Sequence, residues 1–222
     1  MSKFIHPTFK RTLVVLSLSF LTSLILFTAL ASVVIGTTLE IDTTVLLWMN
    51  EHASPAFDSF FVAFTELGGL IVVPIVTFAL FVYLLIKKQY PKALLVSVGV
   101  GGAAAIAYIL KSVFDRPRPD LWEWLIVETQ FSFPSGHAVA SSALAFCVVI
   151  LVWRTKWRTL AIVLGGIYVL AIGVSRLYLG VHYPTDILGG WLLSTAWVAL
   201  VTSVIYLYVL DNRKKSRILF WK

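Results

Sequence analysis

Residues 13–35 read LVVLSLSFLTSLILFTALASVVI, an apolar run without a charged side chain. A helix crosses the hydrocarbon core of a bilayer with roughly 20 such residues, so this run predicts a membrane-spanning helix. A signal peptide is the alternative, because three basic residues precede the run and residues 29–31, Ala-Leu-Ala, are similar to a cleavage site. The apolar run continues past that site and is longer than a normal signal core, which favours a retained span.

Five further apolar runs and the overall composition favour the same class of protein. The chain is 59% hydrophobic and 13% charged, whereas a soluble domain is about half apolar and about a quarter charged. Two runs are short, and we expect their polar flanks to continue the helix so that all five cross the bilayer. The runs cover about residues 67–86, 93–110, 138–153, 160–174 and 187–210, and the third and fourth of these are the short ones.

The segment 43–66 mixes aromatic with charged side chains, which is typical of a helix that lies at the membrane interface. The sequence therefore predicts an all-α, polytopic membrane protein, a six-transmembrane-helix bundle with an interfacial helix between the first two spans. We expect a single membrane-embedded domain over residues 1–222, with a motif-bearing core at about 60–205. Cys147 is the one cysteine and lies in an apolar run, which predicts a buried, inert thiol.

The basic residues are divided unevenly between the two sides of this bundle. Of the 18 Lys and Arg residues, all but Lys111, Arg116, Arg118 and Arg176 fall in the two tails or in the loops after the second and fourth spans. The positive-inside rule then predicts cytoplasmic termini, with basic tails at residues 1–12 and 211–222. The net charge of +7 is thus a topology signal and an attraction to anionic lipid, and we expect no nucleic-acid partner.

Three polar clusters lie on the opposite, outer side. In the first, Lys111 closes the third span and Arg118 stands between Pro117 and Pro119. A residue before proline avoids the helical conformation, so Arg118 is expected in stiff, extended backbone.

The second cluster is Pro134-Ser135-Gly136-His137, directly before the fourth span. Ser135 and Gly136 at a helix start leave backbone N–H groups free. Those groups and the helix dipole together form a site for an anion.

The third cluster runs from Ser175 to Asp186 and joins the fifth span to the sixth. It contains Arg176 and His182, and Pro184 suits the first turn of a helix. Asp186 follows His182 by four residues, so its carboxylate can reach the imidazole and fix its tautomer.

Brought together, these clusters would hold a phosphate. Arginine donates two parallel hydrogen bonds to such an anion, and the two histidines supply covalent chemistry and proton transfer. An imidazole paired with a carboxylate is the better nucleophile, because the carboxylate stabilises the cation that forms. No Asp, Glu and His residues have the spacing of a metal site, and we expect the cations to replace a metal.

The three clusters carry the motifs K-x6-R-P, P-S-G-H and S-R-x5-H-x3-D, complete and in order, at Lys111–Pro119, Pro134–His137 and Ser175–Asp186. In this the sequence resembles the type 2 phosphatidic acid phosphatase superfamily. The resemblance implies a membrane lipid phosphatase without a cofactor, metal or evident obligate protein partner. The topology predicted from the basic residues gives a cell-membrane location with the active site facing outside.

The resemblance also implies a role for each matching residue. His182 would attack phosphorus and become a phospho-histidine, Asp186 would orient His182, and His137 would be the general acid. The phosphate oxygens would be bound by Lys111, Arg118, Arg176, Ser135 and Gly136. Arg116 lies outside the motif and receives no role.

The substrate stays open at this point. Phosphatidylglycerophosphate, undecaprenyl diphosphate and phosphatidic acid all fit, and a broad-specificity phosphatase acting mainly on diacylglycerol pyrophosphate is an alternative. Functions of other classes are a transporter or channel, haloperoxidase chemistry of the kind found in soluble relatives of the family, and a lipid-binding protein without turnover. Clean spans disfavour a channel, and the complete pair of histidines disfavours a protein without turnover.

Overall fold

The computed structural model describes residues 7–211, and this part of the chain contains helices and no strand. The predicted all-α fold is therefore confirmed. The α-helices are α1 (Pro7–Val34), α2 (Glu40–Glu51), α3 (Pro55–Thr65), α4 (Val72–Ile86), α5 (Tyr90–Phe114), α6 (Gly136–Val152), α7 (Arg158–Tyr178) and α8 (Pro184–Asp211), with a short 3-10 helix, Glu66–Gly68, between α3 and α4.

The predicted spans are all present as helices. Five helical stretches are long and apolar enough to cross a membrane, and one of them, Pro55–Ile86, joins α3, the 3-10 helix and α4, because α4 alone has 15 residues. The helix α6, with 17 residues, is a shorter apolar helix. Polar flanks do extend the fifth span, because α7 continues to Tyr178. The predicted basic tails fall largely on residues 1–6 and 212–222, which lie outside the described part of the chain.

The segment expected as one interfacial helix is divided into α2 and α3. Ser54 is extended, with φ −153° and ψ 154°, because it precedes Pro55 and cannot continue a helix. Its hydroxyl instead accepts a hydrogen bond from the backbone N–H of Phe57, at 3.5 Å, and so caps α3.

The bundle is organised around α8, which packs against α1, α5 and α6, while α6 also packs against α5 and α7. Many large apolar side chains point away from this core, such as Leu18 at 58% and Phe78 at 67% exposure. Such an apolar outer surface suits the hydrocarbon interior of a bilayer. Cys147 is buried as a free thiol in the interior, as predicted.

A cluster of three aromatic rings fixes the loop between α5 and α6. Phe133 is fully buried, stacked on Phe27 of α1 at 5.6 Å and edge-on to Phe114 of α5 at 5.2 Å between ring centroids. Behind it, Gly190 allows α8 to approach closely, because a methyl group there would stand 3.1 Å from the carbonyl oxygen of Ser135. The start of α6 is therefore held between α5 and α8.

Candidate active site

The second motif forms the beginning of α6, as the sequence predicted. Ser135 is the extended residue before the helix, and Gly136 is its first residue. The Ser135 hydroxyl is buried and has no hydrogen-bond partner among the described residues. His137 lies in the first turn beside Gly69, where a methyl group would be 3.4 Å from its Nε2 atom. The beginning of α6 therefore carries a buried hydroxyl without a partner in the described part of the chain, next to Gly136 and His137, which line the cavity described below.

The third motif brings His182 and Asp186 together at the start of α8. Nδ1 of His182 lies 3.3 Å from Oδ2 of Asp186. The same oxygen accepts hydrogen bonds from the Ser132 hydroxyl and, at 2.8 Å, from the backbone N–H of Tyr183. Tyr183 precedes Pro184, the first residue of α8, so Asp186 is the third helical residue and accepts the N–H of the residue before the helix, as the third residue of a capping box does. The carboxylate is held by the helix start itself.

The other imidazole nitrogen of His182 faces a cation. Nε2 lies 3.2 Å from Nη1 of Arg118, which can donate a hydrogen bond only to an unprotonated nitrogen. Burial, and then the positive charge of Arg118, hold the pKa of His182 well below its usual 6.5. In this arrangement the tautomer that fits both neighbours has its proton on Nδ1, toward Asp186, and its lone pair on Nε2, toward Arg118.

Arg118 is held in its stiff loop by several bonds. Its Nε donates to the carbonyl of Gln130 and its Nη1 to the carbonyl of Val181, both at 2.7 Å. The remaining amino group donates to Oε2 of Glu128 at 3.0 Å. The guanidinium is thus oriented before any ligand binds.

Arg176 is fully buried at the end of α7 and shares Glu128 with Arg118. Its Nη1 donates to the Thr65 hydroxyl at 3.1 Å, and its Nη2 donates to Oε1 of Glu128. The carboxylate of Glu128 therefore bridges the two arginines with one oxygen on each. The sequence did not assign Glu128, because its place depends on a loop between α5 and α6 that has no regular structure.

Lys111 lies next to the beginning of α6. Its Nζ donates to the carbonyl oxygens of Phe131, at 2.5 Å, and Ser132, at 3.4 Å. Its Cε atom is within 3.9 Å of the position that a methyl group would take at Gly136. The three cations predicted from the sequence therefore converge, although each is also occupied by protein oxygens.

A cavity of about 530 Å³ joins this polar region to apolar helix surfaces. Lys111, Arg118, Glu128, His137 and His182 line one part of it, whereas Arg176 lies behind Glu128 and is not among the described lining residues. The rest of the wall is mostly apolar and comes from α4 and α5, and includes Val73, Pro74, Phe78, Phe81, Val100 and Ala104. The cavity thus has an anion-binding end and an apolar side.

Arg116, which the sequence left without a role, also belongs to this region. Its Nη1 donates to Oδ1 of Asp186 at 2.5 Å and to the Thr185 hydroxyl at 2.8 Å, and its Nη2 donates to Oδ2 of Asp42 at 2.8 Å. Asp42 is fully buried in α2. No local signal in the sequence marks this pairing, because about 70 residues separate Asp42 from Arg116 and Arg116 from Asp186.

Comparison with known proteins agrees with the geometry. The family model described as the PAP2 superfamily matches residues 91–209. A lipid A 4'-phosphatase of Bacteroides thetaiotaomicron is 34% identical over 69% of this chain and 75% of its own length. A phosphatidylglycerophosphatase B of Bacillus subtilis is 37% identical over 42% of this chain and 48% of its own length, so the match spans about half of that relative.

A solved structure shows the same fold. The crystal structure of a transmembrane PAP2-type phosphatidylglycerolphosphate phosphatase from Bacillus subtilis superposes with a TM-score of 0.76, at 24% identity, over 91% of this chain and all of that one. The fold is therefore that of a multi-pass membrane protein. The matched family model covers more than half of the chain, and together these findings show that the chain belongs to the PAP2 superfamily.

Proposed function

We propose that this PAP2 phosphatase hydrolyses the terminal phosphate of a membrane lipid through a phospho-histidine on His182. The observation that carries the proposal is the position of Nε2 of His182, 3.2 Å from the Arg118 amino group. A phosphate bound by Arg118 would place its phosphorus within reach of that lone pair. Glu128 bridges Arg118 and Arg176 as such an anion would, which supports a tetrahedral anion site between them.

In the first step, a lone pair on Nε2 of His182 forms a bond to phosphorus while the bond from phosphorus to the lipid oxygen breaks. The ring becomes cationic and keeps its Nδ1 proton, which Asp186 stabilises from 3.3 Å. His137 in its protonated form gives a proton to the leaving oxygen. A positioned acid contributes about 10²–10⁴-fold to such a step.

In the second step, His137 takes a proton from a water molecule, whose oxygen attacks the phosphorus of the phospho-histidine. The P–N bond breaks, and inorganic phosphate and neutral His182 are released. Charge on the transferred phosphoryl group is spread over its oxygens. Lys111, Arg118, Arg176, the Ser135 hydroxyl and the N–H of Gly136 are the groups that would stabilise it, and we propose that these donors make a metal ion unnecessary.

The apolar side of the cavity supports a lipid as the substrate. Its wall runs from the cationic end along α4 and α5 to Phe78, which is 67% exposed on the outer surface of the bundle. An acyl or prenyl chain could enter there from the bilayer while the headgroup reaches His182. We propose phosphatidylglycerophosphate, undecaprenyl diphosphate or phosphatidic acid as substrate, with diacylglycerol pyrophosphate as the alternative.

We also propose that the site faces away from the cytoplasm. Residues of the site come from the end of α5, the start of α6, the end of α7 and the start of α8, which share one side of the bundle. The loops after α4 and α6 lie at the other ends of those helices and carry Lys87, Lys88, Arg154, Lys156 and Arg158. Reporter fusions after residues 90, 125 and 156 test this, and a cytoplasmic signal at 125 would overturn it.

The function itself is tested by phosphate release from the purified, full-length protein in detergent. Each of the proposed lipids is supplied with a chelator present, beside a soluble phosphate monoester. Turnover of at least one lipid, insensitive to chelator and abolished in His182→Ala, supports the proposal. Turnover that persists in His182→Ala sinks the mechanism, and loss on chelation that magnesium restores sinks its metal independence.

A further inference from the structure

Four charged or ionisable groups follow one another from α2 to the nucleophile. Asp42 accepts a hydrogen bond from Arg116 at 2.8 Å, Arg116 donates to Asp186 at 2.5 Å, and Asp186 lies 3.3 Å from His182. All four side chains are at most 2% exposed. Charges alternate along the series, so each carboxylate affects the guanidinium between them at short range and with little screening by water.

The two oxygens of Asp186 are used differently. Oδ2 faces His182 and accepts hydrogen bonds from the Ser132 hydroxyl and the Tyr183 N–H. Oδ1 instead accepts a hydrogen bond from Arg116. Because Arg116 holds the far oxygen, it fixes the plane of the carboxylate and therefore the direction in which Oδ2 meets the imidazole. The face of the Arg116 guanidinium is covered by the ring of Tyr183, 4.3 Å from its centroid, which restricts the guanidinium further.

Asp42 in turn holds Arg116 and the first turn of α8. Besides the bond from Arg116, it accepts the backbone N–H of Thr185 at 3.1 Å and the Thr185 hydroxyl at 2.8 Å. Thr185 is the second residue of α8, so its N–H is one of those that a helix start leaves free. One carboxylate therefore links α2, the loop that carries Arg116, and the helix that carries Asp186.

From this arrangement we infer that Asp42, acting through Arg116, is a positioning residue for the Asp186–His182 pair; the inference rests on the proposed role of His182 as nucleophile. Asp42 balances the charge of Arg116. Without that balance, Arg116 would draw the charge of Asp186 toward itself, and Asp186 would stabilise the cationic phospho-imidazole less well. The loss falls on the chemical step, since Asp42 lies away from the phosphate-binding groups.

The test is steady-state kinetics on the full-length protein with Asp42→Asn, which keeps the size and removes the charge. We expect kcat to fall about 10–100-fold with KM within about twofold of the wild type. Removing a negative charge behind Asp186 disfavours protonated His182, so the acid limb of kcat/KM should move to lower pH. The groups that face His182 are Asp186 from α8, Arg118 from its loop, Lys111 from α5, His137 from α6 and Arg176 from α7.

A double-mutant cycle separates this role from general stabilisation. If Asp42 acts through Arg116, the variant Asp42→Asn/Arg116→Gln should lose no more turnover than Arg116→Gln alone. Asp42→Glu, which keeps the charge, should retain more turnover than Asp42→Asn. The matched control is Asp58→Asn, a carboxylate of α3 that accepts a hydrogen bond from Tyr178 at 2.6 Å, and its kcat should stay near the wild type.

The outcomes are distinct. The inference would be overturned by any of three results: a near-wild-type kcat in Asp42→Asn, losses of kcat that add up in the double-mutant cycle, or a loss of kcat that only parallels a loss of melting temperature. Should Asp42→Asn not fold, Arg116→Lys carries the test, because lysine cannot bridge two carboxylates as the guanidinium fork does, and the same kcat-selective loss is expected. His182→Ala is measured in parallel: if it keeps turnover, the proposed function fails independently of Asp42.

Discussion

Replacing Glu128 by glutamine should make the phosphate site bind anions more tightly. Glu128 gives one oxygen to Arg118 and one to Arg176, so a phosphate bound by both arginines, as proposed above, would have to displace this carboxylate. The wild-type protein thus carries an internal competitor for its own substrate phosphate. Removing the charge weakens that competitor while leaving both arginines in place.

The magnitude follows from the bonds that change. A hydrogen bond to a charged group contributes about 1.5–3 kcal/mol, against about 0.5–1.5 kcal/mol for a neutral one. Glutamine keeps one acceptor oxygen, and the side chain of Glu128 is 20% exposed, so solvent recovers part of the difference. A net effect of about 1–2 kcal/mol corresponds to about 5- to 30-fold tighter binding of a phosphate-like anion.

The assay is competitive inhibition of lipid turnover by inorganic phosphate and by orthovanadate, with inhibition constants for wild type and Glu128→Gln. Glu123→Gln is the matched control, because Glu123 is an exposed acid in the same loop and should leave both constants unchanged. An inhibition constant for Glu128→Gln within twofold of the wild type, or a weaker one, would refute the idea that Glu128 occupies the phosphate position.

Three further results are expected from the same geometry. Because the pKa of His182 is lowered and the neutral imidazole is the attacking form, the acid limb of the pH profile of kcat/KM should lie well below pH 6.5. Arg118→Gln removes a positive charge that lowers this pKa, so it should move the acid limb to higher pH and lower kcat about 10²–10³-fold. Ser135→Ala removes a hydroxyl that is buried without a partner in the described part of the chain, and should lower kcat/KM about 10- to 150-fold through one lost bond to a charged ligand. Gly190→Ala should lower the thermal melting temperature in detergent, because its methyl group would stand 3.1 Å from the Ser135 carbonyl and lower the free energy of unfolding by about 1–3 kcal/mol. The control Gly166→Ala has open space around the new methyl group and should leave the melting temperature unchanged. These expectations would be contradicted by an unchanged pH profile in Arg118→Gln, an unchanged kcat/KM in Ser135→Ala, or an unchanged melting temperature in Gly190→Ala.

The sequence predicted those parts of the fold that depend on local patterns. Apolar runs predicted six of the eight α-helices, and Ser135-Gly136 predicted the beginning of α6, because both signals lie within one helix or its cap. The break between α2 and α3 was also local, since Ser54 precedes Pro55, yet the mixture of aromatic and charged residues suggested one continuous interfacial helix.

The parts of the site that the sequence did not predict come from tertiary contacts. Glu128 meets Arg176 across 48 residues, and Asp42 meets Arg116 across 74. Each of these residues alone is an ordinary charge in a loop or at a helix start. Only the packing of α2 against α8 and the path of the loop before α6 bring them next to the motif residues, and neither leaves a periodic or spaced signal.

The proposed mechanism depends most on the nitrogen that becomes phosphorylated. Brief incubation of the full-length protein with a lipid labelled with ³²P in its terminal phosphate, followed by denaturation in alkali, preserves a phospho-histidine for peptide mapping. We expect label on His182 in the wild type, and none in His182→Ala. Label on His137, label that survives in His182→Ala, or rapid turnover without any labelled protein would contradict it.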